Sequence, residues 1–127
     1  NDEPPVLDNL SLTSYSLQNA YALGDKPAFI QEDKTLNYNQ LPSLVFRISR
    51  NLTAHGVQPN DVVLIHLPNN LYYGVLFHGV LVAGAITSTC NPTYNEEELE
   101  HQIRTSKSSV IVTLGLFLEK VKRTVAN

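Results

Sequence analysis

Four histidines, one cysteine and a run of three glutamates are the side chains in this sequence best suited to act as bases, nucleophiles or metal ligands. They are His55, His66, His78, His101, Cys90, Glu96, Glu97 and Glu98. No histidine pairs with another histidine or with the cysteine at a spacing typical of zinc sites. The glutamates occupy consecutive positions of a predicted helix, where side chains spread over about 200° and do not converge on one cation. We therefore predict no metal site in this chain and interpret the glutamates as a solvated helix start.

For the histidines and the cysteine, a structural interpretation outweighs a catalytic one. His66 lies in a predicted buried strand and His78 in a predicted buried helix, so we interpret both as hydrogen-bonded core or lining residues. His55 stands beside a helix end, and His101 falls on a solvated helix face. Cys90 follows a strand, where open α/β sheets bind ligands, but the sequence shows no base partner to activate its thiol. We therefore predict no catalytic and no cofactor-binding residue in this chain.

Nucleotide binding by an α/β sheet needs a glycine-rich turn between a strand and the next helix, so that the backbone can touch phosphate. The turn after the first predicted parallel strand is Leu67-Pro68-Asn69-Asn70, which contains no glycine. Gly74, Gly79 and Gly84 instead lie within or at the end of a helix. We interpret them as positions where that helix packs closely against its neighbours.

The elements that would position these residues alternate along the centre of the chain. Strands are predicted over residues 62–67, 85–90 and 109–113, and helices over residues 71–83 and 95–106, with a further helix from about Leu116. This alternation indicates an α/β protein built on a βαβαβ unit with parallel strands and right-handed crossovers. The first strand, which is apolar throughout except for its histidine, is expected to be buried on both faces.

The N-terminal part adds elements of another kind. Ser14 is predicted to cap a short helix that ends before Gly24, a residue that suits a left-handed stop. Residues 28–31 and 35–38 flank a charged triplet, which indicates a small hairpin. Asn37 and Gln40 then have the spacing of a capping box, and a helical stripe of apolar residues follows, with a proline expected in its first turn.

Composition limits the class of protein. The chain has 127 residues, of which 43% are hydrophobic and 17% charged, which is typical of one globular domain or a piece of one. Nine basic against twelve acidic residues provide no basic face for nucleic acid. The longest strongly apolar run, about 16 residues, is shorter than the roughly 18–20 residues of a membrane span. A single cysteine excludes an internal disulfide framework.

Methionine is absent from the sequence, and no basic segment followed by an apolar segment opens it as in a signal peptide. The last residues fall inside a predicted helix. We therefore expect both ends to be cut, and residues 1–127 to be a fragment of a larger domain.

An ordered series of short motifs carries a family resemblance over roughly residues 10–125. The motifs are Gly24-Asp25-Lys26-Pro27-Ala28, Thr35-Leu36-Asn37-Tyr38-Asn39-Gln40-Leu41, Gly56-Val57-Gln58-Pro59-Asn60-Asp61-Val62-Val63, Leu67-Pro68-Asn69, Ala83-Gly84-Ala85, Asn91-Pro92-Thr93-Tyr94 and Val110-Ile111-Val112-Thr113. In this order they resemble the N-terminal portion of the adenylate-forming superfamily, and its 4-coumarate–CoA ligase and luciferase-like branch in particular. Asn60 and Asn37 depart from the usual glycine and threonine, but asparagine tolerates a turn and caps helices.

The resemblance implies that the chain is the N-terminal fragment of an AMP-binding domain in an intracellular enzyme, cytoplasmic or peroxisomal. It implies that the parent enzyme uses ATP, Mg²⁺ and CoA to convert a carboxylic acid to an acyl-adenylate and then to a thioester. The phosphate loop, the ribose-binding aspartate and the catalytic lysine of the family all follow the matched region. The resemblance therefore places no site residue in this chain, and the remainder of the parent enzyme is its expected partner.

Two alternatives remain open at this stage. The βαβαβ core could be a self-contained small module that binds a ligand at the carboxyl ends of its strands. A truncated relative of the enzyme could instead pair with another chain, because a small sheet leaves an edge that a partner strand can cover.

Overall fold

A computed structural model describes residues 10–126 of the chain, and the structural statements below concern that part. It contains five strands and six α-helices. In chain order they are α1 (Leu12–Leu17), α2 (Ala20–Leu23), β1 (Pro27–Gln31), β2 (Lys34–Asn37), α3 (Leu41–Ala54), β3 (Val62–His66), α4 (Tyr73–Val82), β4 (Ile86–Thr89), α5 (Glu96–Ser106), β5 (Val110–Thr113) and α6 (Leu118–Val125). Short 3₁₀ turns precede α3 and α6.

The parallel sheet has the order β4-β3-β5, with β3 in the centre. Val62 pairs with Ile86 on one side of β3, and Leu64 pairs with Ile111 on the other. The predicted parallel βαβαβ unit is thus confirmed. The central position of β3 follows from its composition, because only a strand that is apolar on both faces can be covered on both faces by helices.

The predicted hairpin is confirmed as the antiparallel pair of β1 and β2. Gln31 pairs with Lys34, so the turn consists of Glu32 and Asp33, and Glu32 adopts φ 53°. The register is irregular between Pro27 and Phe29. A side-chain amide joins this hairpin to the rest of the molecule, since the Leu71 N–H donates to Oε1 of Gln31 over 2.9 Å.

The predicted single helix near the N-terminus is wrong in its start and in its continuity. Ser11, rather than Ser14, caps α1, and its hydroxyl accepts the Ser14 N–H over 3.1 Å. Asn19 then leaves the helical conformation (φ −102°, ψ 7°) and separates α1 from α2. Asparagine favours such a break because its side chain competes for backbone hydrogen bonds. Gly24 does end the second helix with φ 59°, as predicted.

The start of α3 follows the sequence closely. The Asn37 N–H donates to Oε1 of Gln40 over 2.8 Å, and Pro42 lies in the first turn of the helix. At the other end His55 is the C-cap, and Gly56 follows with φ 93°. The proline is tolerated there because the N–H that it lacks would have no helical partner in the first turn.

The helices cover the parallel sheet on both faces. Val63 and Ile65 of β3 pack in a cluster that α4 supplies with Leu76 and Val80. On the opposite face Leu64 packs with a leucine of α5 and a valine of α6. The paired tyrosines before and within α4 separate, because Tyr73 packs against the first cluster while Tyr72 is 56% exposed. Tyr73 is therefore part of the core, whereas Tyr72 lies at the surface.

Candidate functional site

Polar side chains gather at the carboxyl edge of the parallel sheet. β3 ends at His66, β4 is followed by Cys90, and β5 ends at Thr113. Because parallel strands bring their carboxyl ends to one edge, this is where open α/β sheets bind ligands. The edge is therefore the candidate site on general grounds, and its geometry decides what chemistry it can support.

His66 is fully buried at this edge and is bonded to the neighbouring strand. Its Nδ1 lies 2.9 Å from Oγ1 of Thr113, and the same hydroxyl donates to the His66 carbonyl over 3.1 Å. A hydroxyl has one proton, so while it donates to the carbonyl it accepts from Nδ1–H. The alternative is a hydroxyl that donates to Nδ1 while Nε2 carries the ring proton, and the heavy-atom positions fit both tautomers. The other nitrogen, Nε2, has no hydrogen-bond partner within residues 10–126.

The segment that follows β5 closes over the His66 ring. Phe117 meets the ring edge-on, with centroids 5.3 Å apart. Nζ of Lys120 lies 5.5 Å from the centre of the Phe117 ring and donates to the carbonyls of Pro92 (3.2 Å) and Tyr94 (2.6 Å). The lysine thus ties α6 to the loop that follows β4.

Burial lowers the pKa of His66 below 6.5, and the Lys120 charge lowers it further. The Pro92 carbonyl offsets part of this lowering of the pKa, although its contact with the ring falls outside ordinary hydrogen-bond geometry. His66 is therefore a neutral imidazole at pH 7 that helps to join β3 to β5. This agrees with its interpretation as a hydrogen-bonded core residue.

Cys90 is half-buried beside the same edge. Its Sγ lies 3.8 Å from the Ile65 carbonyl oxygen, to which the thiol donates. Burial raises the pKa of the Cys90 thiol, and the Lys120 charge opposes that rise with a smaller effect. A thiol with a raised pKa carries little thiolate at pH 7, and the thiolate is the nucleophile. The geometry favours the packed residue over the catalytic one.

Three backbone N–H groups in the turn between β3 and α4 are bonded within the chain. A phosphate cradle requires free backbone N–H groups at the start of a helix. Here the Leu71 N–H bonds to Gln31, the Tyr72 N–H to Oδ1 of Asn70 and the Tyr73 N–H to the Asn70 carbonyl. These three N–H groups are therefore not free to bind a phosphate.

The turn between β4 and α5 also forms hydrogen bonds and an ion pair within the chain. Asn95 and Glu98 form the predicted capping box, with Asn95 N–H donating to Glu98 over 2.8 Å and Glu98 N–H donating to Oδ1 of Asn95 over 2.9 Å. Glu96 forms an ion pair with Arg123 of α6 at 2.8 Å. Three carboxylates at this helix start would repel a phosphate, so this turn does not fit one either.

The remaining histidines lie apart from the sheet edge. His78 is held in α4, with Nδ1 2.9 Å from Oγ1 of Thr13, and burial lowers its pKa. His55 bonds through Nδ1 to the Asn51 carbonyl over 2.8 Å at the end of α3. His101 is exposed on α5. Within residues 10–126, no three histidine, cysteine, aspartate or glutamate side chains come together in a way that could hold a metal ion.

Two glycines of α4 lie directly against neighbouring side chains. A Cβ at Gly79 would overlap the Ile48 side chain of α3, and one at Gly74 would lie 2.5 Å from Cζ of Phe29. The predicted role of these two glycines in close packing is confirmed. Gly84 differs, because its φ of 77° is what the turn after α4 requires.

Sequence reasoning missed the contacts that build the sheet edge. Thr113 and Lys120 were not singled out, although they hold His66 and the loop after β4. Thr113 is 47 positions from His66, and no local pattern indicates which distant side chain meets a buried histidine. The two-residue alternation of β3 does place His66 on the same face as Leu64, and it is the only local signal that bears on the contact.

No helix within residues 10–126 has the length and apolar character needed to cross a bilayer.

Comparisons with known proteins relate this chain to a family of enzymes. Residues 17–127 match a family model described as AMP-binding enzyme. The chain is 35% identical over 114 residues to a long-chain-fatty-acid–CoA ligase of Bacillus subtilis (strain 168), covering 90% of this chain and 20% of that protein. It is 30% identical over 118 residues to a 4-coumarate–CoA ligase of Pinus taeda, covering 91% of this chain and 22% of that protein. The chain thus spans about a fifth of the length of these relatives.

A solved structure shows the same fold. A benzoate–CoA ligase from Burkholderia xenovorans LB400 superposes with a TM-score of 0.86 at 19% identity, covering 93% of this chain and 24% of that one. At that identity the likeness concerns the fold alone. The family match over most of the chain, together with the parallel βαβαβ unit and its hairpin, shows that this chain belongs to the family of AMP-binding, adenylate-forming enzymes.

Proposed function

We propose that residues 1–127 are the N-terminal part of the AMP-binding domain of an ATP-dependent acid–CoA ligase. In such an enzyme the carboxylate attacks ATP to form an acyl-adenylate and pyrophosphate, and the CoA sulfur then displaces AMP to form a thioester. The observation that carries the proposal is the family match over residues 17–127, reinforced by two relatives that are both CoA ligases. Their names span an aryl and a long-chain acyl acid, so the substrate class is an aryl or acyl carboxylic acid.

The part played by this chain is structural. Backbone N–H groups in both strand–helix turns bond within the chain, and Lys120 is engaged with backbone carbonyls. ATP and Mg²⁺ would therefore be held by segments of the ligase outside residues 1–127, and no step of the reaction is assigned to a side chain of this chain. Its contribution is a sheet on which those segments assemble.

Exposed apolar side chains support the remainder of the ligase as the partner. Leu116 is 83% exposed after β5, and Ile86 of the other edge strand is 51% exposed. Within residues 10–126 both β4 and β5 are edge strands of a three-stranded sheet. Edge strands with apolar neighbours are surfaces that proteins normally cover.

The first test is the coding sequence beyond residue 127. We expect the reading frame to continue into a Ser/Thr/Gly-rich loop that contains a lysine. A stop codon directly after Asn127 would contradict the proposal and would favour a self-contained binding or interaction module.

The second test is ATP–pyrophosphate exchange with a panel of carboxylic acids that includes 4-coumarate, benzoate and a long-chain fatty acid. We expect exchange with the longer protein and none with residues 1–127 alone. Exchange by the 127 residues alone would overturn the structural role. Separate expression of residues 1–127 and of the downstream segment, followed by mixing, supplies the matched control because it changes only the covalent link. The compartment, cytoplasm or peroxisome, is proposed from the family and is testable by imaging the tagged full-length protein.

A further inference from the structure

A cavity of about 130 Å³ lies away from the sheet edge, between the hairpin and the helices α1, α3 and α4. Leu17, Ala28, Phe29, Tyr38 and Val75 provide most of its apolar and aromatic wall. Among residues 10–126, no aspartate, glutamate, lysine or arginine lines it. An ion would therefore lose its hydration on entering without gaining an opposite charge, so the cavity suits a neutral molecule.

One imidazole gives this wall a polar feature. His78 lines the cavity, and its Nδ1 is held by Oγ1 of Thr13 over 2.9 Å. Thr13 is itself buried, so the ring is fixed in place. Its Nε2 makes no hydrogen bond to residues 10–126. Burial lowers the pKa of His78, which keeps the ring neutral at pH 7.

The volume selects for size. A cavity of roughly 150 Å³ with apolar walls stays dry and takes up benzene, so about 130 Å³ has room for a single six-membered ring. The cavity opens to solvent on one side, where a small substituent can extend. Flat aromatic walls such as Phe29 and Tyr38 favour a flat aromatic guest.

We propose that this cavity is a binding site for a small neutral phenol, with its ring between the aromatic walls and its hydroxyl on Nε2 of His78. A hydroxyl suits the site because it both donates and accepts, and it therefore pairs with Nε2 whichever nitrogen carries the ring proton. The site is independent of the proposed ligase reaction, since it shares no residue with the carboxyl edge of the sheet.

The test is a titration of the full chain with phenol, followed by amide and imidazole ¹⁵N–¹H NMR. We expect saturable shifts confined to the cavity residues, including Nε2 of His78, with a dissociation constant of about 0.1–1 mM for a ligand of this size. We expect benzene to bind about tenfold more weakly than phenol and benzoate not to bind. Shifts that do not saturate, or equal affinity for phenol and benzene, would overturn the proposal.

Two variants fill the cavity by different routes. Ala28→Ile adds volume from β1, and Gly74→Ala displaces the Phe29 ring. Each is expected to weaken phenol binding at least tenfold while the spectrum stays dispersed, so that either one decides the matter if the other does not fold. Ile30→Val is the matched control, because Ile30 lies on the same strand and is 67% exposed. Unchanged binding in both filling variants would contradict the proposed location.

A third variant separates the hydrogen bond from the cavity. His78→Asn retains a partner for Thr13 but removes Nε2. We expect it to lose the preference for phenol over benzene while benzene binding changes less than twofold. Retention of the full preference would show that His78 does not receive the hydroxyl.

Discussion

The two faces of β3 are buried to the same degree but by different means. Val63 and Ile65 face the apolar helix α4, whose Gly79 allows the Ile48 side chain of α3 to approach the helix backbone. On the other face, Leu64 packs with Leu99 and Val121. The first face has many interlocking apolar contacts, and the second has a few buried anchors.

The helices on the second face, α5 and α6, are stabilised by interactions of their own. α5 has a capping box at its start, an ion pair between Glu100 and Arg104 within it, and a pair from Glu96 to Arg123 of α6. These interactions are contained within the two helices and need no contribution from the sheet. The difference shows that the two faces of one sheet can be covered in different ways. One face is covered by closely packed apolar side chains, and the other by polar helices that are stabilised by their own interactions and contact the sheet through a few buried side chains.

The largest effect is expected where an anchor is removed from the sparse face. Leu99 is the fully buried side chain of α5, and Leu99→Ala should lower the free energy of unfolding by about 3 kcal/mol, through lost transfer energy and a cavity. Urea unfolding measures the change. Glu97→Ala on the same helix is exposed and should stay within about 0.5 kcal/mol. An effect of Leu99→Ala no larger than that of the control would show that the face does not depend on its anchors.

The next prediction tests the close packing between α3 and α4, which cover the other face of β3. Gly79→Ala should destabilise the chain by about 1–2 kcal/mol, although alanine favours helix, because the added methyl overlaps Ile48 in the interface between α3 and α4.

Gly74→Ala is the matched comparison in the same helix. Its methyl meets only the far end of the Phe29 ring, beside the cavity, so the ring can move aside. We expect no loss of stability there, and a gain of up to about 1 kcal/mol from helix propensity. Thermal unfolding of both variants checks the contrast, and equal destabilisation would refute it.

A smaller effect tests the local compensation in α5. Asn95→Ala removes the cap that accepts the Glu98 N–H and should cost about 1 kcal/mol. Asn95→Ser, which can still accept this bond, should retain most of the stability. Arg104→Ala breaks only an exposed pair and should cost about 0.5 kcal/mol or less. If the order of these costs were reversed in urea unfolding, the surface pairs rather than the cap would stabilise this helix.

The last prediction concerns the slope with which the free energy of unfolding changes with pH. The folded-state pKa of His66 lies below 6.5. From about pH 6.5 downward, the unfolded chain therefore binds a proton that the folded chain does not yet bind. Stability is thus fully present above pH 6.5 and is lost as pH falls toward the lowered pKa. His66→Asn should flatten this loss between pH 7 and 5.

His78→Asn provides the comparison for that pH series. Burial alone lowers the pKa of His78, whereas the pKa of His66 is lowered by burial and by the Lys120 charge. Because both pKa values are lowered, we expect His66→Asn and His78→Asn each to flatten the pH dependence of stability. Urea unfolding at a series of pH values decides it, and an unchanged slope in His66→Asn would contradict the neutral, buried state assigned to that ring.

Much of the fold follows from local patterns. The hairpin, the three parallel strands and the helix that follows Asn37 were all predicted, because each depends on periodicity or on residues within one turn of each other. The capping box at Asn95 belongs to the same class, since donor and acceptor are three residues apart. The N-terminal helix was mispredicted because Ser11 and Ser14 are both acceptable caps, and local chemistry does not choose between them.

The candidate site was less accessible to the same reasoning. The burial of His66 was predicted from its strand, but the hydroxyl of Thr113 and the closure by Phe117 and Lys120 were not. The helix predicted over residues 71–83 begins instead at Tyr73, and Tyr72 before it is exposed.

By itself the sequence determined the class of protein, the order of its elements and the family to which it belongs, because these depend on composition, on periods of two and 3.6 residues, and on short motifs in order. The tertiary structure alone decided which face of β3 each helix covers, which hydroxyl the His66 ring meets, and where Ile48 packs against Gly79. It also decided that a cavity remains beside His78. These features arise from contacts between residues tens of positions apart, and the geometry of such contacts exists only once the chain has folded.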